Sequence, residues 1–289
     1  MTIQEILART AARLAQQSPE TARVEAEWIL SALLDISRTE LYVRSHEEFP
    51  PATAPCLEEI IARRLQGHPL QYLLGYTEFY GRRFACDPRA LIPRPETEIL
   101  AEIVLDYLNS LFPPQPGIHP LVWDIGTGCG NIAVTLAAER PDLWVLATDA
   151  DRSALQLAGE NALADHAEDR VTLACVSMFD AILAERCFAA ICSNPPYVSE
   201  RAAEMLPREV RDFEPPRALF APEEGLFFVR QIVAQAAEYL VSGGLLALEI
   251  GFDQADAVRE LLSTHGKYTA VKFTKDLAGH LRVAGAVRI

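Results

Sequence analysis

Asp124-Ile125-Gly126-Thr127-Gly128-Cys129-Gly130 closes an apolar run, Leu121–Ile125, and leads into Asn131–Arg140, whose apolar residues recur at helical spacing. Glycines between a strand and a helix let the main chain turn sharply and let a ligand approach the backbone. The same loop would also serve as a tight turn needed only for packing. The dinucleotide fingerprint is G-x-G-x-x-G, and Asn131 stands where its third glycine would be. That favours a ligand without a pyrophosphate. Asp149 ends the next apolar run, 19 residues after Gly130. An acid at this place can accept from both hydroxyls of a ribose. It would equally suit the N-cap of a helix beginning near Ser153.

Strand-length apolar runs continue at Trp144–Thr148, Val171–Val176, Phe188–Ser193 and Leu245–Ile250. Helical stretches lie between them at Ser153–Ala164 and Glu224–Leu240. Such alternation implies a parallel sheet covered on both faces. Two last strands, Thr269–Thr274 and Leu281–Arg288, are joined by a short connection and should pair antiparallel.

Upstream, the first 75 residues read as helices. Ile3, Ile6, Leu7, Ala11 and Leu14 share one face. Ser18-Pro19 suits an N-cap followed by proline, opening a helix with Val24, Trp28 and Leu33 on its stripe. Ser37-Arg38-Thr39-Glu40 fits a capping box, and Thr53–Leu65 repeats the apolar pattern until Gly67. Helices this short must pack together, so a small bundle is expected. Residues 76–92 hold two β-prone stretches around Gly81 and read as a hairpin between two domains. Pro93 and Pro95 then start a helix, Glu96–Leu108, and Phe112–Pro120 is a proline-rich loop.

The formal net charge is -14. Residues 1–75 carry 7 basic and 10 acidic side chains, and the remainder 19 and 30. Neither part offers the basic cluster that neutralises a phosphate backbone, which argues against nucleic acid as the main partner. No apolar run reaches membrane-spanning length, and no secretory signal opens the chain, so a cytoplasmic protein is expected. The six cysteines form no C-x-x-C pair and read as small buried hydrophobes, with no metal expected.

Asn194-Pro195-Pro196-Tyr197 stands at the C-terminal end of the fourth strand, the edge where open α/β sheets bind ligands. The prolines fix φ and remove two N–H donors. The Asn194 side-chain oxygen and the Pro195 carbonyl remain as acceptors, a pair suited to an NH2 group. Tyr197 adds a flat face on which a planar group could stack. A strand-ending proline turn is the plainer alternative.

In order and spacing these two motifs resemble class I S-adenosylmethionine-dependent methyltransferases of the Asn-Pro-Pro-Tyr group, whose substrates include DNA adenine, RNA guanine and protein glutamine. Further segments narrow the likeness. Gly67-His68-Pro69-Leu70-Gln71-Tyr72-Leu73-Leu74-Gly75 precedes Glu78-Phe79-Tyr80-Gly81. Leu91-Ile92-Pro93-Arg94-Pro95-Glu96-Thr97-Glu98 follows, and Phe213-Glu214-Pro215 comes after the tyrosine motif. Over nearly its whole length the chain resembles the peptide chain release factor N5-glutamine methyltransferases. The resemblance implies an α/β fold with a Rossmann-like, seven-stranded class I methyltransferase domain over 93–289. A helical substrate-binding domain over 1–75 and a β-hairpin linker over 76–92 would precede it.

The implied reaction moves a methyl group from S-adenosylmethionine to the glutamine of the Gly-Gly-Gln motif in class 1 release factors, leaving S-adenosylhomocysteine. The implied cofactor residues are Gly126, Thr127, Gly128, Cys129, Gly130, Asp149, Ser177, Met178 and Asn194. Asn194, Pro195, Pro196 and Tyr197 would bind the glutamine, with Asn194, Pro195 and Tyr197 in the catalytic role. Ser177 departs from the family, which usually has an acid there near the adenine, and its hydroxyl is a weaker acceptor than a carboxylate. Met178 would pack on the adenine. Arg94, Glu96 and Glu98 would either orient a loop over the cofactor or form the solvated start of a helix. The alternative function is transfer to an amino group of rRNA or DNA.

Overall fold

Thr2 and Ser37 each start a helix by the same device. The Thr2 hydroxyl accepts from the Glu5 N–H at 3.2 Å while the Glu5 carboxylate accepts from the Thr2 N–H at 2.9 Å, opening α1 (Ile3–Leu14). Ser37 and Glu40 repeat the exchange to open α3 (Arg38–Val43). Between them lies α2 (Ala22–Leu34), and α4 (Ala54–Leu65) and α5 (Leu70–Leu74) follow. Ile3, Leu14, Ile29, Leu30, Leu41 and Ile61 meet in one buried core.

The computed structural model describes residues 1–289 and divides into two units. The helical unit takes Met1–Gly75 together with Pro207–Phe213, and the second takes Tyr76–Leu206 and Glu214–Ile289. Within the helical unit α2 departs from the sequence expectation. The Ser18 carbonyl accepts from the N–H groups of Thr21 and Ala22, so Ser18 belongs to a turn and the helix starts at Ala22. Val24 is exposed, and Glu25 faces inward instead. Arg64 of α4 explains this. Its Nε donates to Glu25 Oε2 at 2.7 Å, and both side chains are only 9% exposed. Arg64 also pairs with Glu209 on the short helix Arg208–Phe213, whose Phe213 ring lies 4.2 Å from His68.

In the second unit the hairpin pairs Tyr76–Phe79 with Arg82–Ala85, turning at Tyr80 and Gly81 with φ of 52° and 71°. Helix α6 (Thr97–Leu111) comes next. The sheet strands are β1 (Leu121–Ile125), β2 (Trp144–Asp149), β3 (Val171–Cys175), β4 (Phe188–Ser193), β5 (Leu240–Glu249), β6 (Tyr268–Lys275) and β7 (Leu281–Arg288). Their order is β6-β7-β5-β4-β1-β2-β3, parallel except for β7, which runs antiparallel to both neighbours. Period-two alternation sorts the core. Val122, Leu245 and Ala247 face α6 and α7 (Asn131–Glu139), with α8 (Arg152–Ala164) alongside. Trp123, Ile125, Leu246 and Leu248 face α9 (Phe227–Ala236) and α10 (Ala255–Thr264).

Three local expectations are corrected. The helix expected at Glu224 starts at Phe227, because Glu223, Glu224 and Gly225 all take positive φ. β5 begins at Leu240, ahead of the expected Leu245, through an irregular stretch at Gly243 and Gly244. Only Cys86, Cys129 and Cys192 are buried. Cys56, Cys175 and Cys187 are exposed, since they fall on a solvent face or at strand ends.

The Arg64 pair is the helical unit's most exacting interaction. Arg64→Met should leave Glu25 buried without its cation and cost about 3–5 kcal/mol. Urea unfolding followed by circular dichroism measures it, and a loss under about 1 kcal/mol would show that the site relaxes around the uncovered acid.

Candidate active site

The glycine loop and the Asn-Pro-Pro-Tyr loop both leave the sheet at the carboxyl ends of its parallel strands, and the segment before α6 closes the site across from them. The chain runs from β1 outward to β2 and β3, then returns to β4 on the other side of β1. A crevice forms where strand order reverses in this way. After β1 the N–H groups of Gly126 and Thr127 both donate to the Thr148 carbonyl, at 2.8 and 2.9 Å. The Thr127 hydroxyl donates to Asp124 Oδ2 at 2.6 Å. Gly126 has φ 73°, and a Cβ there would meet no atom within 4 Å, so the loop leaves a bare cradle. Gly130 differs. A Cβ on it would stand 3.0 Å from the Ala158 Cβ, so this glycine lets α7 start against α8.

Asp149 accepts from the Gly128 N–H at 2.9 Å and from the Asp151 N–H at 2.8 Å. The cap of α8 is Asp151, which accepts from Ser153, so the capping alternative for Asp149 does not apply. Burial raises the Asp149 pKa against the pull of its two N–H donors.

A cavity of about 320 Å³ gathers Gly126, Thr127, Gly128, Cys129, Asp149, Ser177, Met178, Asn194, Pro195 and Pro196 in its wall. Of the implied cofactor and glutamine residues, Gly130 and Tyr197 lie outside the lining, as do Glu96 and Glu98. Three arginines reach the wall, and each is ion-paired: Arg89 with Asp87 and Glu160, Arg94 with Glu214, and Arg217 with Asp151. Committed cations suit a nucleoside better than a pyrophosphate. The bare glycine cradle, the Asp149 carboxylate and the apolar Ile132 and Met178 fit an adenosyl group on the same grounds.

At the end of β4 the Ser193 hydroxyl donates to the Ile125 carbonyl at 2.6 Å, tying the tyrosine motif to the glycine loop. Asn194 Nδ2 donates to Thr97 Oγ1 at 3.1 Å, and the Thr97 hydroxyl donates to Glu249 Oε2 at 2.6 Å. Neither Asn194 Oδ1 nor the Pro195 carbonyl meets a donor within the chain. The Tyr197 hydroxyl donates to Glu249 Oε1 at 3.2 Å. The Tyr197 carbonyl accepts from Gln254 at 3.0 Å, and a Cβ at Gly225 would come within 2.1 Å of it. The hydroxyl at the ring's edge is thus engaged with Glu249, which fixes where the ring lies. Glu249 is fully buried, and burial pushes its pKa up to about 7 in spite of the Thr97 and Tyr197 hydrogen bonds.

Sequence reasoning missed Thr97, Glu249 and the role of Glu214. Glu214 is 3% exposed, accepts from the Ile92 N–H at 3.1 Å and holds Arg94 at 2.5 Å. Glu214 thus ties Arg94 to the Ala90–Pro93 wall, while Glu98 accepts from the Tyr80 N–H and Glu96 is exposed at the start of α6. No group of three or more His, Cys, Asp and Glu side chains gathers as a metal site, and no helix is long and apolar enough to cross a membrane.

Residues 5–75 match the PrmC N-terminal domain family, and residues 105–209 match the Methyltransferase small domain family. In fold the chain is similar to the hMettl16 catalytic domain solved in complex with MAT2A 3'UTR hairpin 6. The TM-score is 0.56 at 17% identity, covering 83% of this chain and 82% of that one. A methyltransferase from Pyrococcus furiosus gives 0.51 at 18% identity, covering 78% and 96%. At such identity these likenesses speak for fold alone, and the fold is that of a methyltransferase. Closer sequence relatives go further. A release factor glutamine methyltransferase of Neisseria gonorrhoeae is 42% identical over 262 residues, 90% of this chain and 92% of the relative. One from Moorella thermoacetica is 40% identical over 288 residues, 100% and 99% of the two chains. The chain belongs to the release factor glutamine methyltransferase family.

Glu249 makes stability depend on pH. Its folded pKa of about 7 lies above the ordinary 4.5, so the folded state holds the proton more tightly between those values. Stability should therefore fall as pH rises through that window. Asp124, also fully buried and raised to about 7, adds a slope of the same sign. Glu249→Gln should remove about 3 kcal/mol of the loss between those limits. Urea titrations at both ends of the window test this, and an unchanged difference would mean that Glu249 titrates normally.

Proposed function

We propose that the chain transfers a methyl group from S-adenosylmethionine to the side-chain amide nitrogen, N5, of the glutamine in the Gly-Gly-Gln motif of class 1 peptide chain release factors. The observation that carries this reading is the pair of free acceptors at the end of β4, Asn194 Oδ1 and the Pro195 carbonyl, in the wall of a cavity that suits an adenosyl group. The family supplies the substrate. When bound, the cofactor supplies an electrophilic methyl group on a sulfonium.

The residues meet the difficulty of the reaction. An amide nitrogen has a delocalised lone pair and is a poor nucleophile. Two fixed acceptors receive hydrogen bonds from its two N–H groups and turn the nitrogen face toward the methyl donor. One of those protons is released to solvent when the nitrogen gains the methyl group. They also stabilise the more acidic N–H that develops during transfer, and being fixed in advance they need little reorganisation. Pro195 and Pro196 make the loop rigid. Gly126, Thr127, Gly128, Cys129 and Asp149 hold the cofactor, with Ser177 and Met178 at the adenine end. Gly130 acts from behind this wall by packing. Tyr197 serves the glutamine site through Glu249.

Nothing favours an rRNA or DNA amino group over glutamine. The lining arginines are committed to carboxylates, and the formal net charge is -14. All of the cavity lining belongs to the second unit, so methyl donor binding leaves the helical unit free for the protein substrate. We assign that unit to grip on the release factor, and we place the enzyme in the cytoplasm, where release factors act.

Mass spectrometry of a release factor incubated with the enzyme and S-adenosylmethionine should find one added methyl on the Gly-Gly-Gln glutamine. An unmodified factor, or transfer to rRNA alone, would overturn the assignment. Asn194→Ala should lower kcat by about 10²–10³-fold, with a much smaller change in cofactor affinity. Turnover close to wild type would remove Asn194 from the chemistry.

A further inference from the structure

We infer that Glu249, acting through Thr97, sets which end of the Asn194 amide faces the cavity and is thereby a positioning residue for methyl transfer. The inference rests on the reading of Asn194 as an acceptor for the glutamine amide.

The two ends of an asparagine amide have nearly the same shape, so packing alone does not choose between them. Hydrogen-bond polarity does. An ionised carboxylate can only accept, so the single Thr97 proton, 2.6 Å from Glu249 Oε2, goes to the carboxylate. Thr97 Oγ1 then has only lone pairs for its second neighbour. Asn194 must answer with Nδ2, which it does at 3.1 Å, and Oδ1 is left toward the cavity. The other Glu249 oxygen takes the Tyr197 hydroxyl at 3.2 Å and so cannot reverse the chain. Were the amide turned, its NH2 would meet the NH2 of the glutamine, donor against donor.

The surroundings of Glu249 support a role beyond stability. It is 1% exposed, as is Thr97, and no cation lies within ion-pair distance. Arg282 of β7 is near enough to lower its pKa but is itself paired with Asp276, while Glu96 at the start of α6 opposes it. Tyr197 faces it from the loop after β4, and Arg94 lies near Tyr197. A buried carboxylate without a cation is costly, and a neutral side chain would fill the space more cheaply. What a carboxylate adds is direction. Once protonated, Glu249 can donate to Thr97, which frees the Thr97 proton to point at Asn194 Oδ1. Turnover should therefore rise with pH through the Glu249 titration, near pH 7.

The test uses the full chain with Thr97→Val, Thr97→Ser, Glu249→Gln and Asn194→Ala. It reads kcat and KM with a release factor, cofactor Kd by calorimetry, and thermal unfolding. Glu249→Gln and Thr97→Val should each lower kcat about 10–100-fold while cofactor Kd stays within about threefold. Thr97→Ser, which keeps the hydroxyl, should recover most of the rate. Wild-type kcat should climb through about pH 7, and the Glu249→Gln rate should stay low and flat. If Glu249→Gln does not fold, Thr97→Val, nearly identical in shape, decides the matter. Suppose that Thr97→Val folds, binds cofactor and turns over within about threefold of wild type, while Asn194→Ala is inactive. The relay is then overturned and the acceptor reading stands. If Asn194→Ala itself turns over normally, the acceptor reading falls and the positioning role falls with it.

Discussion

The parallel pairing of β1 with β4 is the constraint on which the site depends. These strands come from segments more than 60 residues apart, and their register aligns Asp124 with Cys192. One residue further on, the Ser193 hydroxyl reaches the Ile125 carbonyl and closes the pair at its end. The glycine loop and the Asn-Pro-Pro-Tyr loop then leave the sheet side by side. A slip of β4 by one residue against β1 would turn Ile191 from one core to the other, away from Trp123. The hydrophobic alternation that builds the two cores thus also places the acceptors beside the cradle.

Around this edge the fold keeps carboxylates where a stability argument would not put them. Asp124 and Glu249 are buried and Asp149 is half-buried, and desolvation raises the pKa of each. Glu214 is also buried, but it carries Arg94 and a backbone N–H. These groups hold main chain or hydroxyls in place: Asp124 holds Thr127, Asp149 holds Gly128 and Asp151, Glu249 holds Thr97 and Tyr197. Hydrogen bonds to a carboxylate are stronger and more directional than neutral ones, which suits a site that must be rigid before its ligands arrive. The desolvation cost is borne by two large apolar cores on either side of the sheet.

How far the sequence could be read follows from the range of each interaction. The strand ends, the glycine loop and the capping boxes at Thr2 and Ser37 depend on residues within a few positions of one another, and local pattern exposes them. The start of α2 was misread because Ser18-Pro19 resembles a cap locally, whereas the inward turn of Glu25 is decided by Arg64, 39 positions away. The same holds at the site. Asn194 was legible through the prolines beside it. Its partner Thr97 is 97 positions earlier and Thr97's partner Glu249 another 152 later, with no local pattern to join them. Tyr197 shows the limit most clearly. Its ring suggests stacking from sequence, but that its hydroxyl is held by Glu249, 52 positions later, is visible only in the fold.

The division of labour in this chain is therefore between motif and support. The motif residues present backbone and amide groups to the cavity, and none of them is chemically aggressive. In the proposed reaction they would act by orientation, which Thr97 and Glu249 would supply to Asn194, while Glu214 holds Ile92 and Arg94 in the facing wall. Both supports bring together elements that are remote in sequence, α6 with β5 and the segment after β4 with the segment before α6. An acceptor pair that must choose an NH2 over other groups gains nothing from strength alone. It gains from being unable to turn, and a hydrogen-bond chain ending on a buried acid provides that restraint where shape cannot.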